Sequence, residues 1–364
     1  MSKISRRSFI KHSTLATAVP LITKACPSIR TISNKERIGV ALLGLGSYSR
    51  GQLAPALQLT THCHLAGVIT GTPSKIPLWQ EQYDLLDSHC YTYETMDEIA
   101  NNDDIDVIYI VVPTGLHAHY AIKAANLGKH VWCEKPMAMN VKECQSIIDA
   151  CHKNKVKLSI GYRMLHEDNT QTLISFANDK PYGSMTSISA SAGYAGGGGS
   201  GWRYIKEMGG GALYDMGVYT VNGIRYASGM NVKKVLRANH IIKRPDLFTE
   251  VDETTEYTLE LENGLIARGW TSVGESRNRL HVECTQGWYE LSPMQSYNGV
   301  EGKTSDGQLL NTFVSNQQTQ QMDNDAWAIL NNKPVIAPGI EGLKDIHIIN
   351  GIFESAKSGH SVTL

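Results

Sequence analysis

What this 364-residue sequence lacks narrows it before any motif does. Its seven cysteines, at positions 26, 63, 90, 133, 144, 151 and 284, contain no Cys-x-x-Cys and no metal-like grouping, and no His-Glu-x-x-His occurs. Cys144 and Cys151 lie on one expected helix, about 10 Å apart in rise, too far to bridge; scattered buried thiols suit this usage. No stretch reaches the ~20 apolar residues of a membrane span. Basic charge is scarce outside the N-terminus. Lys3, Arg6, Arg7, Lys11, Lys24 and Arg30 stand in the first thirty residues without an acid, which leaves 28 Lys+Arg against 35 Asp+Glu in the rest. An acidic body with no basic stripe argues against nucleic acid as partner. What remains, 41% hydrophobic and 19% charged, is ordinary globular sequence long enough for two domains with ample cores.

The basic start has its own grammar. Ser5-Arg6-Arg7-Ser8-Phe9-Ile10-Lys11, then the apolar run Leu15 to Ile22, then Cys26, reads as a twin-arginine export signal, so the expected location is the periplasm. A basic disordered tail is the alternative. Lys24 fits a lipidation site poorly, which argues against an anchor at Cys26. Residues 1–33 are set apart as the signal. Twin-arginine export moves folded proteins, which suits one that loads a cofactor inside the cell.

Arg37 to Leu43 is an apolar run of strand length, opening into Gly44-Leu45-Gly46-Ser47-Tyr48-Ser49 and then a helical stretch, Gln52 to Leu59. Glycines at a strand-to-helix turn let a pyrophosphate approach the backbone at a helix N-terminus. Ser49, small, replaces the third glycine. Alone the motif is weak; its position after a strand and before a helix strengthens it. Further strands are expected at His64–Thr70, Ile105–Val112, His130–Cys133 and Lys157–Tyr162, with helices at Leu116–Leu127 and Val141–Lys153. The alternation predicts an α/β fold with an N-terminal Rossmann domain, a doubly wound parallel sheet, over 34–160. An NAD enzyme places an acid at the end of the second strand for the ribose 2′-hydroxyl. Here that end reads Thr70-Gly71-Thr72-Pro73-Ser74-Lys75, a hydroxyl and a cation that would welcome a 2′-phosphate, so NADP is expected over NAD. Lys75 as a solvated surface lysine is the competing reading.

Glu134-Lys135-Pro136-Met137, preceded by Pro113-Thr114-Gly115-Leu116-His117 and followed by Gly161-Tyr162-Arg163, Gly201-Trp202-Arg203 and Gly209-Gly210-Gly211-Ala212-Leu213-Tyr214-Asp215-Met216-Gly217-Val218-Tyr219, resembles the Gfo/Idh/MocA oxidoreductases. Within that family the pattern is most similar to the glucose–fructose oxidoreductase type, and it runs from about Arg37 to the C-terminus. The resemblance implies a C-terminal α+β domain (161–364) with a large, mostly antiparallel sheet, one face toward the active site and the other toward a partner subunit of a homo-oligomer. Alternating stretches at Met185–Tyr194, Val232–His240, Thr255–Leu261, Leu265–Ser272 and Arg279–Thr285, with a turn at Glu262-Asn263-Gly264, agree with that. The glycine-rich run from Gly196 to Gly201 reads equally as a lid or as a loose surface loop.

Oxidising a sugar alcohol needs a base for the hydroxyl proton beside the nicotinamide. Lys135 follows a strand end, where α/β sheets place ligands. Asp215 and Tyr219, i and i+4 on an expected helix, point one way. By resemblance Tyr219 is the proton acceptor or donor and Asp215 a substrate ligand or orienting group. A phenol, ordinarily titrating near 10, needs a neighbouring cation at neutral pH, and Lys135 supplies one. The resemblance also puts Gly44, Gly46, Ser47, Tyr48, Thr70, Lys75, Pro113, Thr114, His117, Glu134, Lys135, Arg163, Trp202, Arg203 and Tyr297 at the cofactor or sugar. His166 lies in no family motif. No metal is expected. Because free NADP is scarce outside the cytoplasm, an exported enzyme either recycles a held cofactor between two sugars or runs redox-neutral glycoside cleavage through a transient keto-sugar. Relatives of the second kind typically lack the lysine present at 135, which favours the first. A cofactor-locked sugar-binding protein is a third possibility. One departure stands out: the glucose–fructose type carries a long arm that helps retain its cofactor, and here only about ten residues separate Cys26 from the first strand.

Overall fold

The computed structural model describes residues 35–196, 201–297, 299–314 and 316–364, all within one compact unit, Ile32–Leu364. The expected export signal (1–33), Cys26 and most of the glycine-rich run fall outside the described residues.

Among the described residues six strands form a parallel sheet: β1 (Ile38–Leu43), β2 (Cys63–Thr70), β3 (Cys90–Thr92), β4 (Val107–Ile110), β5 (His130–Cys133) and β6 (Leu158–Ile160), in the order β3-β2-β1-β4-β5-β6. The order reverses between β1 and β4, the crevice where such sheets bind dinucleotides. β1 is buried on both faces. Ile38, Val40 and Leu42 enter one apolar core, while Ala41 and Leu43 enter the other. That two-sided burial is why the strand reads as an unbroken apolar run. The connecting helices are α1 (Ala54–Leu57), preceded by a wide π-type turn at Ser49–Leu53, then α2 (Ile76–Tyr83), α3 (His117–Asn126) and α4 (Val141–Lys153). At the start of α4 the Asn140 side chain accepts from Glu143 N–H, and the Glu143 carboxylate accepts from Met139 N–H, a reciprocal cap.

α5 (Asp168–Asp179) leads into the second sheet through β7 (Met185–Gly193), and α6 (Val218–Ser228) follows a second π-type turn, Leu213–Gly217. The remaining strands are β8 (Val232–Ile241), β9 (Thr254–Leu261), β10 (Ile266–Ser272), β11 (Arg277–Cys284), β12 (Gly287–Leu291), β13 (Gly302–Thr304), β14 (Leu309–Leu310) and β15 (Val362–Thr363). Nine strands lie in the order β14-β13-β12-β11-β7-β10-β9-β8-β15, antiparallel except for the parallel pair β7–β10. This is the mostly antiparallel C-terminal sheet expected. Ile188, Ala190, Ala192, Leu280, Val282 and Leu259 face the shared core, and the opposite face carries charge.

Two helices end the chain. α8 (Gly339–Ser358) packs on α4 and β8, tying the two sheets together. α7 (Gln317–Leu330) returns to the first sheet, where Met322, Ala326 and Ile329 join the core under Ile38, Val40 and Leu42. Among the described residues no helix is long and apolar enough to cross a membrane, the cysteines are unbridged, and no cluster of metal-ligating side chains occurs.

Candidate active site

The turn after β1 is built as a phosphate cradle. Gly44 has φ +101°, and a Cβ there would stand 2.5 Å from the Val111 carbonyl oxygen, so only glycine fits. Ser49, 0% exposed, donates from Oγ to Gly44 O at 2.5 Å and closes the turn, a role beyond the small size expected of it. Gly46 and Ser47 are exposed, and nothing lies within 4 Å of where a Gly46 Cβ would project. Across the groove, Lys75 Nζ donates to Leu45 O at 3.0 Å, which brings its charge beside the glycine turn. Thr70 is buried, and its hydroxyl accepts from Thr72 N–H at 3.0 Å. Residues 71–75 are exposed and carry no carboxylate. An open glycine turn, a free run of backbone and a lysine fit a dinucleotide with a 2′-phosphate.

Beyond the strand-order reversal, loops after β4 and β5 form the other half of the groove. Two residues expected at the cofactor brace these loops. His117 is buried between the two loops, with Nδ1 2.9 Å from Pro136 O and Nε2 2.8 Å from Val112 O; burial holds its pKa below the ordinary value, and the neutral ring donates to one of the two carbonyls. Glu134 is also buried. Its carboxylate accepts from Tyr109 Oη at 2.7 Å and from Lys135 N–H at 3.2 Å, and Gln321 of α7 donates to Tyr109 Oη at 3.0 Å. Burial raises the Glu134 pKa against the pull of Lys135 and Tyr109. Pro113 and Thr114 line the same loop, with Thr114 buried.

Lys135, Asp215 and Tyr219 meet at the mouth of this half. Lys135 Nζ donates to the backbone carbonyl of Asp215 at 3.0 Å and stands 4.5 Å from the Tyr219 ring centroid. The regular i, i+4 helix expected for the pair is replaced by the π-type turn Leu213–Gly217 running into α6, a widening common at functional sites. The Asp215 carboxylate turns to other partners: Oδ2 accepts from Tyr194 Oη and from Arg203 Nε, both at 2.9 Å. Arg163, 2% exposed, lies 5.6 Å from the Tyr219 ring and 4.7 Å from the Tyr297 ring, held by Ser296 O, Gln295 Oε1 and Gln317 Oε1. Tyr48 completes the wall, its ring 6.0 Å from Tyr297, itself half exposed. His166 is not part of this cluster; it is buried beside Asn324 and its pKa is lowered to about 3 by burial.

A strap crosses the site. Trp202–Tyr204 and Lys206–Met208 form two tight turns, with the Arg203 guanidinium stacked 4.6 Å from the Trp202 ring. The strap lies on Gly115: a Cβ there would fall 2.0 Å from Glu207 O and 3.0 Å from Met208 Cα. Sequence reasoning missed Tyr194, Tyr109, Gln317 and Gln321. Tyr194 did end an expected strand beside a glycine run, a rim position that could have marked it.

Comparison with known proteins agrees with this geometry. Residues 38–162 match the GFO_IDH_MocA family model, described as an oxidoreductase family with an NAD-binding Rossmann fold, and residues 170–290 match the GFO/IDH/MocA C-terminal domain. The crystal structure of aldose-aldose oxidoreductase from Caulobacter crescentus, complexed with glycerol, superposes with a TM-score of 0.86 at 33% identity, covering 90% of this chain and 100% of that one. D-xylose 1-dehydrogenase [NADP(+)] of Haloarcula marismortui is 24% identical over 360 residues, 89% of this chain and 92% of its own. D-xylose 1-dehydrogenase (NADP(+)) 2 of Haloferax volcanii is 24% identical over 280 residues, covering 75% and 84%.

Proposed function

We propose that this chain, which belongs to the Gfo/Idh/MocA oxidoreductase family, is an NADP-dependent sugar oxidoreductase of the glucose–fructose oxidoreductase type. It acts between a pyranose or ketose and a tightly held cofactor. The observation that carries the reading is the convergence of Lys135, Asp215 and Tyr219 at the nicotinamide half of the crevice. The relatives named for xylose and NADP(+), and the aldose-aldose enzyme complexed with glycerol, support the polyol substrate and the cofactor.

Bound NADP supplies the two-electron acceptor and donor. This chain supplies the rest. Lys135 presents its ammonium to the substrate oxygen and favours its negative form. Tyr219, with Lys135 and Arg163 near its ring, takes the hydroxyl proton during oxidation and returns it during reduction. Asp215 accepts from a further hydroxyl and so orients the ring. Trp202, Arg203 and Tyr297 wall the pocket against water. The glycine turn and Lys75 hold the phosphates.

The twin-arginine pattern supports residence in the periplasm, where a cofactor recycled between two sugars needs no external supply. The partner subunit of the homo-oligomer sits on the outer face of the second sheet. There Arg237, Glu256, Arg268, Trp270, Arg277 and Arg279 line a concavity of about 560 Å³, with charges of both signs available to a two-fold copy. The test is made on protein purified without added cofactor: denature it, identify the released nucleotide by mass spectrometry, and follow reduced-nicotinamide absorbance across a sugar panel. Stoichiometric NADP(H) that one sugar reduces and another reoxidises is the expected result. Empty protein, or nucleotide that no sugar changes, overturns it.

A further inference from the structure

Tyr194, at the rim just beyond β7, is not among the expected site residues, yet its hydroxyl donates to the Asp215 carboxylate. Asp215 is 8% exposed, and it is the hub of three separate elements. Its backbone carbonyl takes Lys135 from the loop after β5. Its Oδ2 takes both Tyr194 Oη from the second sheet and Arg203 Nε from the strap. Oδ1 accepts no hydrogen bond from the described residues, and unlike Asp252 Oδ1 it is not sealed from solvent without a partner. Two donors on one oxygen therefore fix the carboxylate plane and leave the other oxygen as the acceptor available to a ligand.

The two donors differ in kind. Arg203 rides on a strap whose side chain is half exposed (49%) in its ion pair with Asp215, whereas Tyr194 is anchored at a strand end, with its N–H bonded to Ser272 O at 3.1 Å. A ring with two torsions at the end of an interior strand gives a more rigid reference than a long guanidinium on a turn. We propose that Tyr194 is a positioning residue: it holds Asp215 Oδ2 so that Oδ1 meets a sugar hydroxyl adjacent to the one oxidised at Lys135 and Tyr219. It touches neither substrate nor cofactor, and it acts only through Asp215. This rests on the sugar oxidoreductase reading above.

A hydrogen bond to a charged group contributes about 1.5–3 kcal/mol, or ~10- to 150-fold in a rate or binding constant. The test is a double-mutant cycle with Tyr194→Phe and Asp215→Asn, measured as kcat/KM for the sugar that reduces the bound cofactor. In the native background Tyr194→Phe is expected to lower kcat/KM by ~10-fold or more, mostly through a higher KM, with nucleotide content unchanged. In the Asp215→Asn background the same change is expected to cost less than about threefold, because the negative charge that strengthens the Tyr194 hydrogen bond is gone. Equal losses in both backgrounds would show that Tyr194 acts elsewhere and overturn the proposal. Loss of bound nucleotide in Tyr194→Phe would do the same, since it would place Tyr194 in the cofactor site. A native enzyme that no sugar reduces fails one step earlier and sinks the sugar reading instead.

Discussion

Gly115→Ala is the sharpest perturbation the site offers. The added methyl would sit 2.0 Å from Glu207 O, 3.0 Å from Met208 Cα and 3.1 Å from Glu207 C, all backbone atoms of the strap. No side-chain rotation relieves such a clash, so the strap must lift by more than 1 Å or the loop after β4 must sink. Overpacking of this kind costs about 1–3 kcal/mol. The strap lies on the loop after β4, and it carries Trp202 and Arg203. If a docked strap is what holds NADP, the cost falls on cofactor binding, and affinity drops ~5- to 150-fold. The assay is nucleotide content per chain after extended dialysis, followed by fluorescence titration of the emptied protein with NADPH. The melting temperature of the emptied variant, compared with emptied native protein, separates a loose strap from a damaged fold. A folded Gly115→Ala protein that keeps stoichiometric NADP through dialysis, with unchanged affinity, would refute the idea that the strap retains the cofactor.

Other outcomes follow from the same geometry. Lys135→Ala and Tyr219→Phe are each expected to lower turnover at least ~10-fold while melting within a few degrees of native; near-normal rates would remove that residue from the chemistry. Thr70→Asp should move preference from NADP toward NAD, because a carboxylate repels the 2′-phosphate and accepts from the free ribose hydroxyl; the ratio of the two affinities measures it. Asp325 is fully buried beside Ser159, and burial pushes its pKa up to about 7. The folded state thus keeps a proton that the unfolded chain releases from about pH 4 upward. Stability contributed by the neutral acid is complete below pH 4 and is lost as pH rises toward 7, by at most ~4 kcal/mol. Asp325→Asn should therefore flatten the fall in melting temperature between pH 4 and 7; an unchanged slope would assign that fall to other groups.

Much of this fold was legible because its signals are local. The α4 limits, Val141–Lys153, match expectation at both ends since Asn140 and Glu143 cap the start in the sequence itself. β1, buried on both faces, announces itself as an apolar run. α7 gave no comparable signal, because the face it buries carries Gln317, Gln318, Gln321 and Asp325. Those residues hydrogen-bond or crowd against Arg163, Tyr109 and Ser159, so a polar stripe does the packing that periodicity assigns to apolar residues. The π-type turn at Leu213–Gly217 is invisible for a related reason: one extra residue per turn leaves composition unchanged. At the site, the residue types and their strand ends were readable, and the partners were not. Lys135 meets a carbonyl of Asp215 rather than its carboxylate, and His117 and Glu134 also hold the loops around them. The Lys135–Asp215 pairing spans 80 residues and Glu134–Tyr109 spans 25, and both depend on tertiary contacts that no local pattern encodes.

The return of α7 also sets a timetable for biosynthesis. β6 ends at Ile160, but the core under the first sheet is not complete until Met322, Ala326 and Ile329 arrive, and the Asp323 carboxylate that accepts from the N–H groups of Thr61 and His62 arrives with them. At ~5–20 residues per second, a ribosome takes roughly 8–30 s to cross that gap. Through this interval Leu53, Ala54, Leu57 and Trp79 cover part of that face, and the part that Met322, Ala326 and Ile329 will take stays open to solvent and to chaperones. A message truncated before the last fifty codons would release a nucleotide-binding half that cannot complete its own core.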